Sequence, residues 1–333
     1  MTSYSSRNRV DSSEVISTGW KLYRRNWKQY VSIALKGYVW LMVPAITVAV
    51  AAILLGVQIS EETYANNLSS LVGLLVLAAV VFLVVSIFCF AQFLGWTTGI
   101  SRLVYQTLSG GSEDEKAALR FTRSRKYALL WQNVLRGLIF LGIYLVFGLI
   151  VLIFALVVIG LSNSASEGGA VSLIVALSAL QVLLFFAFFV FVAWVALRLM
   201  MADQSLAIEQ DSSAITSINR SFEATKGNVW RSLQVAIFTF LISTVISMAF
   251  NIAMQIIATV LMPLATALDS PAADASAGVI SYVAIIAIVL IFIVFSFAGA
   301  VFVLPLWHIM LTTLYFRLRS QTAPGRGNTS LLP

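Results

Sequence analysis

The sequence predicts an all-α membrane protein: six transmembrane helices, set as three parallel hairpin repeats, each opened by an amphipathic interfacial helix on the cytoplasmic face. Three observations predict this. Six long apolar runs contain almost no charge, the segments between them alternate sharply in charge, and one opening motif occurs three times.

The runs cover about residues 31–57, 68–100, 134–161, 171–200, 233–262 and 278–315. A run of about 18 or more apolar residues reads as a spanning helix, because only a helix satisfies its own backbone groups inside lipid. Over the whole chain 60% of residues are hydrophobic and 11% are charged, against about 25% charged in soluble domains. The first 30 residues are polar and lack the short apolar core and small-residue cleavage site of a removable signal, so none is expected. Cys89 is the single cysteine and excludes an intrachain disulfide.

Residues 1–36, 102–136, 198–231 and 317–333 hold all 21 Lys and Arg. The connections 58–67, 162–170 and 263–277 hold none, and carry Glu61, Glu62, Glu167, Asp269 and Asp274. The first set has 21 basic and 9 acidic residues, or +12, and the second −5, which sum to the net +7. The positive-inside rule therefore puts both termini in the cytoplasm. The expected location is the cytoplasmic (inner) membrane of a bacterium or an equivalent internal membrane. The basic balance reads as topology and as attraction to anionic headgroups. It does not read as nucleic-acid binding, since no RNA or DNA motif accompanies it.

The openings are "DSSEVISTGWKLYRRNW" from Asp11, "SEDEKAALRFTRSRKYALLW" from Ser112 and "DSSAITSINRSFEATKGNVW" from Asp211. Each starts with a helix cap and ends on a tryptophan: Trp27, Trp131 and Trp230. The first two match a capping box, with Glu14 and Glu115 three residues after the cap. In the first copy Ile16, Trp20, Tyr23 and Trp27 make one apolar stripe at helical spacing, with Lys21, Arg24, Arg25 and Lys28 on or beside the other face. Such a helix is expected to lie in the headgroup plane. In the third copy Ile215, Ile218, Phe222, Thr225 and Val229 form a weaker stripe. The second span of each pair ends on a further tryptophan, Trp96, Trp194 or Trp307, with Arg102, Arg198 or Arg317 beyond it. Ring at the headgroups and charge beyond is an interfacial anchor.

The expected organisation is a disordered N-terminus (1–10), repeats over 11–110, 111–205 and 206–319, and a disordered tail (320–333). Two spans per unit give every unit one orientation, so the repeats are parallel.

Groups able to carry chemistry are few. His308 is the only histidine, so a His–Cys metal site is excluded by count, and a Ser–His–Asp arrangement would have to be built around His308. Its plain role is helix packing through a hydrogen bond to a neighbouring carbonyl or hydroxyl. The intramembrane polar residues Gln92, Gln181, Asn251 and Gln255 are expected to join helices in the same way. Pro44 and Pro305 are candidate kinks. No cofactor is expected.

The stretch "RLMMADQSLAIEQDSSAITSINRSFEATKGNVWRSL" resembles the membrane domain attached to some bacterial glycerophosphoryl diester phosphodiesterases, and related stand-alone multi-span proteins. The matching positions are Glu209, Ser221, Lys226, Gly227, Asn228 and Trp230; "GWKLYRRNWKQYV" resembles the start of the same domain. In that family the catalytic part is a separate soluble barrel with a His–Arg pair. This chain has neither, so the resemblance implies a membrane domain without phosphodiesterase activity.

The expected function is that of a non-enzymatic membrane scaffold or assembly protein, working through the bilayer's anionic headgroups and another membrane protein. The alternative is a transporter or lipid-handling protein, since parallel repeats are a known transporter plan.

Overall fold

The structure is a computed structural model that describes residues 11–58, 68–111, 113–164, 169–268 and 275–322. The outer acidic residues Glu61, Glu62, Glu167, Asp269 and Asp274, the cap residue Ser112 and the segments 1–10 and 323–333 lie outside the described residues.

The described residues are helical, with no strand among them. The helices are α1 (Ser12–Gln58), α2 (Leu68–Ser109), α3 (Glu115–Ser124), α4 (Lys126–Ser164), α5 (Gly169–Leu199), α6 (Ala202–Ile208), α7 (Ala214–Thr225), α8 (Val229–Leu268) and α9 (Ala275–Thr322). The six long ones, α1, α2, α4, α5, α8 and α9, are apolar and long enough to cross a membrane.

α1, α2, α4 and α9 extend past their apolar runs. α9 has 48 residues, about 72 Å at 1.5 Å per residue, against a hydrocarbon core of about 30 Å. Most of the extension beyond the apolar runs lies at the charged end, where α1 begins at Ser12 and α9 reaches Thr322. There α1 runs antiparallel to α9, with Glu14 paired to Arg317 and Gly19 against Met310. α2 joins them: Tyr38 of α1 meets Phe93 of α2 and Phe297 of α9. The main core forms where these helices meet, around Tyr30, Ile33, Ile100, Leu306, Ile309, Met310 and Leu314. Farther from the charged end the helices turn large side chains outward, such as Val76, Leu145, Phe186 and Val245. Apolar surface on that scale suits a lipid solvent.

Several helix boundaries differ from those expected. α1 is two helices joined across a kink at Asn26 (φ −122°, ψ 22°), so the first opening forms a helical segment of its own ahead of the span. Pro44 lies within the second of these helices, where no residue leaves helical φ/ψ. Ser13 N–H and Oγ donate to the Asp11 carboxylate, so the expected cap forms there. The second opening divides at Arg125, between α3 and α4, with Asp114 as N-cap and no side-chain cap bond. The third helix begins later than Asp211: Ser213 is its cap and accepts from Thr216 N–H. Asp211 sits in the preceding turn. α9 carries helix to Thr322, into the stretch read as tail.

The apolar stripes face protein more than lipid. In α1, Tyr23 is buried and its hydroxyl donates to Phe302 O. In α7, Ile218 and Thr225 are buried and Phe222 is packed against α4 and α5. A helix crossing the charged end beside tall neighbours gains more by covering their apolar flanks than by lying on headgroups alone.

Candidate functional site

The link from α5 to α8 brings the chain's charges together. α6 is almost wholly buried, with Ala202, Gln204, Ser205, Leu206 and Ala207 all inside. Its end must therefore find partners for its carbonyls. Arg125 supplies them: its guanidinium donates to Leu206 O (3.0 Å), Glu209 O (2.5 Å) and Gln210 O. Burial, with Arg102 nearby, pushes the Arg125 guanidinium below its ordinary value.

Glu209 follows at once, its side chain only 9% exposed. It pairs with Arg220 of α7 and, at 2.9 Å, with Arg319 of α9, and accepts from Tyr315 Oη at 2.6 Å. A carboxylate this buried needs such partners. Ser221, one α7 position beyond Arg220, donates to Arg198 O (2.6 Å) and accepts from Met201 N–H (3.2 Å). It stitches α7 to the α5–α6 corner. Lys226 closes α7, and Gly227 follows at φ +77°, a conformation that favours glycine. Trp230 is 70% exposed.

Two further pairs lie beside this knot. Arg136 of α4 forks onto Asp203 of α6 (3.1 and 3.3 Å), and Gln132 donates to the same carboxylate (2.8 Å). Arg102 of α2 pairs with Glu113 at 2.8 Å and stacks 3.7 Å over Phe121. Ser101 Oγ and His308 Nδ1 share a 2.9 Å hydrogen bond across α2 and α9. With Ser101 fully buried, this contact joins helices and is not an accessible nucleophile and base. Among the described residues no group of three metal-ligating side chains comes together.

The tryptophans divide. Trp27, Trp131, Trp194 and Trp230 are exposed, whereas Trp20, Trp96 and Trp307 are half-buried. Trp20 stacks on Tyr23. Trp96 is held between Lys36 and Arg123, and its Nε1 is buried without a hydrogen-bond partner among the described residues. Trp194 lies under Arg198 (4.9 Å), with ring and cation adjacent as the anchor pattern anticipates.

Of the intramembrane polar residues, Gln92 is buried, Gln181 is half-buried, and Asn251 and Gln255 are exposed. The last two line a groove of about 500 Å³ between α8 and α9.

Sequence reasoning singled out Glu209 but missed Arg125, Asp203, Tyr315 and Arg319. Asp203 had a usable signal: one acid inside "VALRLMMADQSLAI", opposite an arginine at the edge of a span.

Residues 117–312 match the model of a family described as a domain of unknown function (DUF7847). This chain belongs to that family. The DUF7847 segment runs from Ala117 in α3 to Thr312 in α9, so it holds Asp203, Glu209, Arg220 and His308, while Tyr315, Arg319, α1 and α2 fall outside it. No curated protein matches the chain, and no solved structure matches it.

Proposed function

We propose that this DUF7847 protein is a non-enzymatic scaffold of a bacterial cytoplasmic membrane, or an equivalent internal membrane, that holds anionic lipid and a partner membrane protein at its charged end. In this reading both termini are cytoplasmic, and the three openings with their following spans are parallel repeats. The observation that carries it is the basic face left outward on α1. Lys21, Arg24, Arg25 and Lys28 are all exposed, while Ile16, Trp20 and Tyr23 beside them pack inward.

Lys116, Arg120 and Arg123 of α3 are exposed as well. Basic residues near an anionic surface contribute about 1 kcal/mol each. By contrast Arg102, Arg125, Arg136 and Arg220 are spent on internal contacts, which stiffen the platform carrying the outward charges. The likeness of the 198–233 stretch to a membrane domain that accompanies lipid-headgroup enzymes fits a lipid-contacting role.

The test is reconstitution into liposomes with and without phosphatidylglycerol. The protein should show no saturable solute flux and no phosphodiester hydrolysis, and should enrich the anionic lipid around itself. A reproducible saturable flux, abolished by a change at Gln92, Asn251 or His308, would replace this reading with a transporter.

A further inference from the structure

The groove between α8 and α9 has features that a plain lipid-facing surface lacks. Ser247, Asn251 and Gln255 lie at i, i+4 and i+8 on α8, so they share one face. Phe295, Gly299 and Val303 form the opposite wall on α9. Beside these positions α8 exposes Val245, Met248, Ile252 and Ile256. The groove therefore opens toward the bilayer.

Two carboxamides there are costly unless something answers them. Asn251 Nδ2 donates to Ser247 O (2.8 Å), which leaves its Oδ1 and second N–H uncommitted among the described residues. The Gln255 side chain has no protein partner among the described residues and is exposed. No lining residue is charged. The site thus offers hydrogen-bond donors and acceptors without a countercharge, next to the Phe250 and Phe295 rings and Met254.

We infer that this groove binds a long-chain amphiphile with an uncharged, carbonyl- or hydroxyl-bearing head, such as a diacylglycerol. Its head is held by Asn251 and Gln255 and its chain lies along Phe250 and Phe295. The volume, ≈ 500 Å³, falls within the range of about 300–1,000 Å³ typical of small-molecule sites. A partner helix about 10–12 Å across would lie over such a slot without entering it. A phosphate or carboxylate head would lack a cation. The site is separate from the basic face of α1 and stands whether or not the scaffold reading holds.

The probe is a diacylglycerol with a diazirine in one acyl chain, photolysed with the full chain in phosphatidylcholine–phosphatidylglycerol nanodiscs. A phosphatidylglycerol carrying the same diazirine is the charged-head arm. The diacylglycerol should label peptides covering 247–258 and 295–303, saturably, and an excess of unlabelled diacylglycerol should remove the label. The phosphatidylglycerol probe should label them no more than other lipid-facing peptides. Asn251→Leu with Gln255→Leu should lower the labelling affinity about tenfold, or about 1.4 kcal/mol. Ala258→Phe, which fills the groove while keeping both amides, should do the same and decides the matter if the double variant does not fold. Non-saturable labelling, equal labelling by the charged probe, or full labelling of Ala258→Phe would overturn the inference. So would a chain-to-chain cross-link between cysteines at 251 in two copies, which would make the occupant a second protomer.

Discussion

Replacing Glu209 by Gln keeps the shape of the side chain and its ability to accept from Tyr315, but removes its charge. Arg220 and Arg319 then face each other across a neutral amide. Breaking a fully buried ion pair from one side costs about 3–5 kcal/mol. Here the carboxylate is 9% exposed but the two guanidinium side chains are 37% and 31% exposed, so solvent recovers part of the loss. A cost of about 2 kcal/mol remains, a lowering of melting temperature by about 4–8 °C at the scale of large domains. Tyr315→Phe removes one hydrogen bond to a charged acceptor, worth about 1.5–3 kcal/mol. Because both act on one carboxylate, their effects should not add, and a double-mutant cycle should return a coupling of about 0.5 kcal/mol or more. The assay is thermal unfolding in mild detergent followed by circular dichroism, with Arg319→Gln as a third corner. A Glu209→Gln protein that melts with the parent, or strict additivity with Tyr315→Phe, would refute the claim that this knot fastens α6, α7 and α9 together.

A second expectation concerns the notch in α2. A Cβ on Gly95 would stand 3.2 Å from the Arg123 Cα, and one on Gly99 would stand 2.5 Å from Leu119 Cδ2. Gly95→Val should therefore lift α3 and cost about 1–3 kcal/mol as overpacking, read by thermal unfolding; Gly142→Val, whose Cβ position is open, should cost little. The Ser13 amide and hydroxyl hold the Asp11 carboxyl below its ordinary value. Its contribution to capping α1 is therefore present above the usual carboxylate range and lost as pH falls through the lowered value. Amide exchange at Ser13–Ile16 should quicken in Asp11→Ala at neutral pH, and unchanged exchange would contradict the cap. In a Cys89→Ser background, cysteines at Glu61, Glu167 and Asp274 should react with an impermeant reagent added outside, and cysteines at Lys116 and Asp211 should not. The reverse pattern would invert the proposed orientation.

The spans were legible because about 20 apolar residues in a row admit one solution in lipid. Their ends were less so. The apolar count stops where charge begins, but Arg102 pairs with Glu113 and Arg317 with Glu14, so α2 and α9 run on as helix past that edge. Capping also shifted: Asp211 and Ser213 are equally good caps in sequence, and only the turn at Gln210–Ser212 selects Ser213. Glu209 lies equally far along the chain from Arg198 and Arg220, so spacing alone does not choose its partner. Arg198 instead donates to Phe222 O. Arg319 and Tyr315 could not be read, because they come from a helix about a hundred residues on and local spacing carries no register between distant helices. The interfacial stripes of α1 and α7 were visible as periodicity, which does not distinguish lipid from a neighbouring helix as the apolar partner.

The central claim is that the outward basic face of α1 gathers anionic lipid and holds a partner beside it. The most direct test extracts the parent protein and a variant with Lys21, Arg24, Arg25 and Lys28 changed to Gln from native membranes in polymer nanodiscs. Their lipids and proteins are then quantified at equal protein and equal thermal stability. The account predicts anionic lipid enriched over bulk around the parent, with one membrane protein at constant ratio, and both reduced toward bulk in the variant. Equal lipid and protein composition around parent and variant would contradict it.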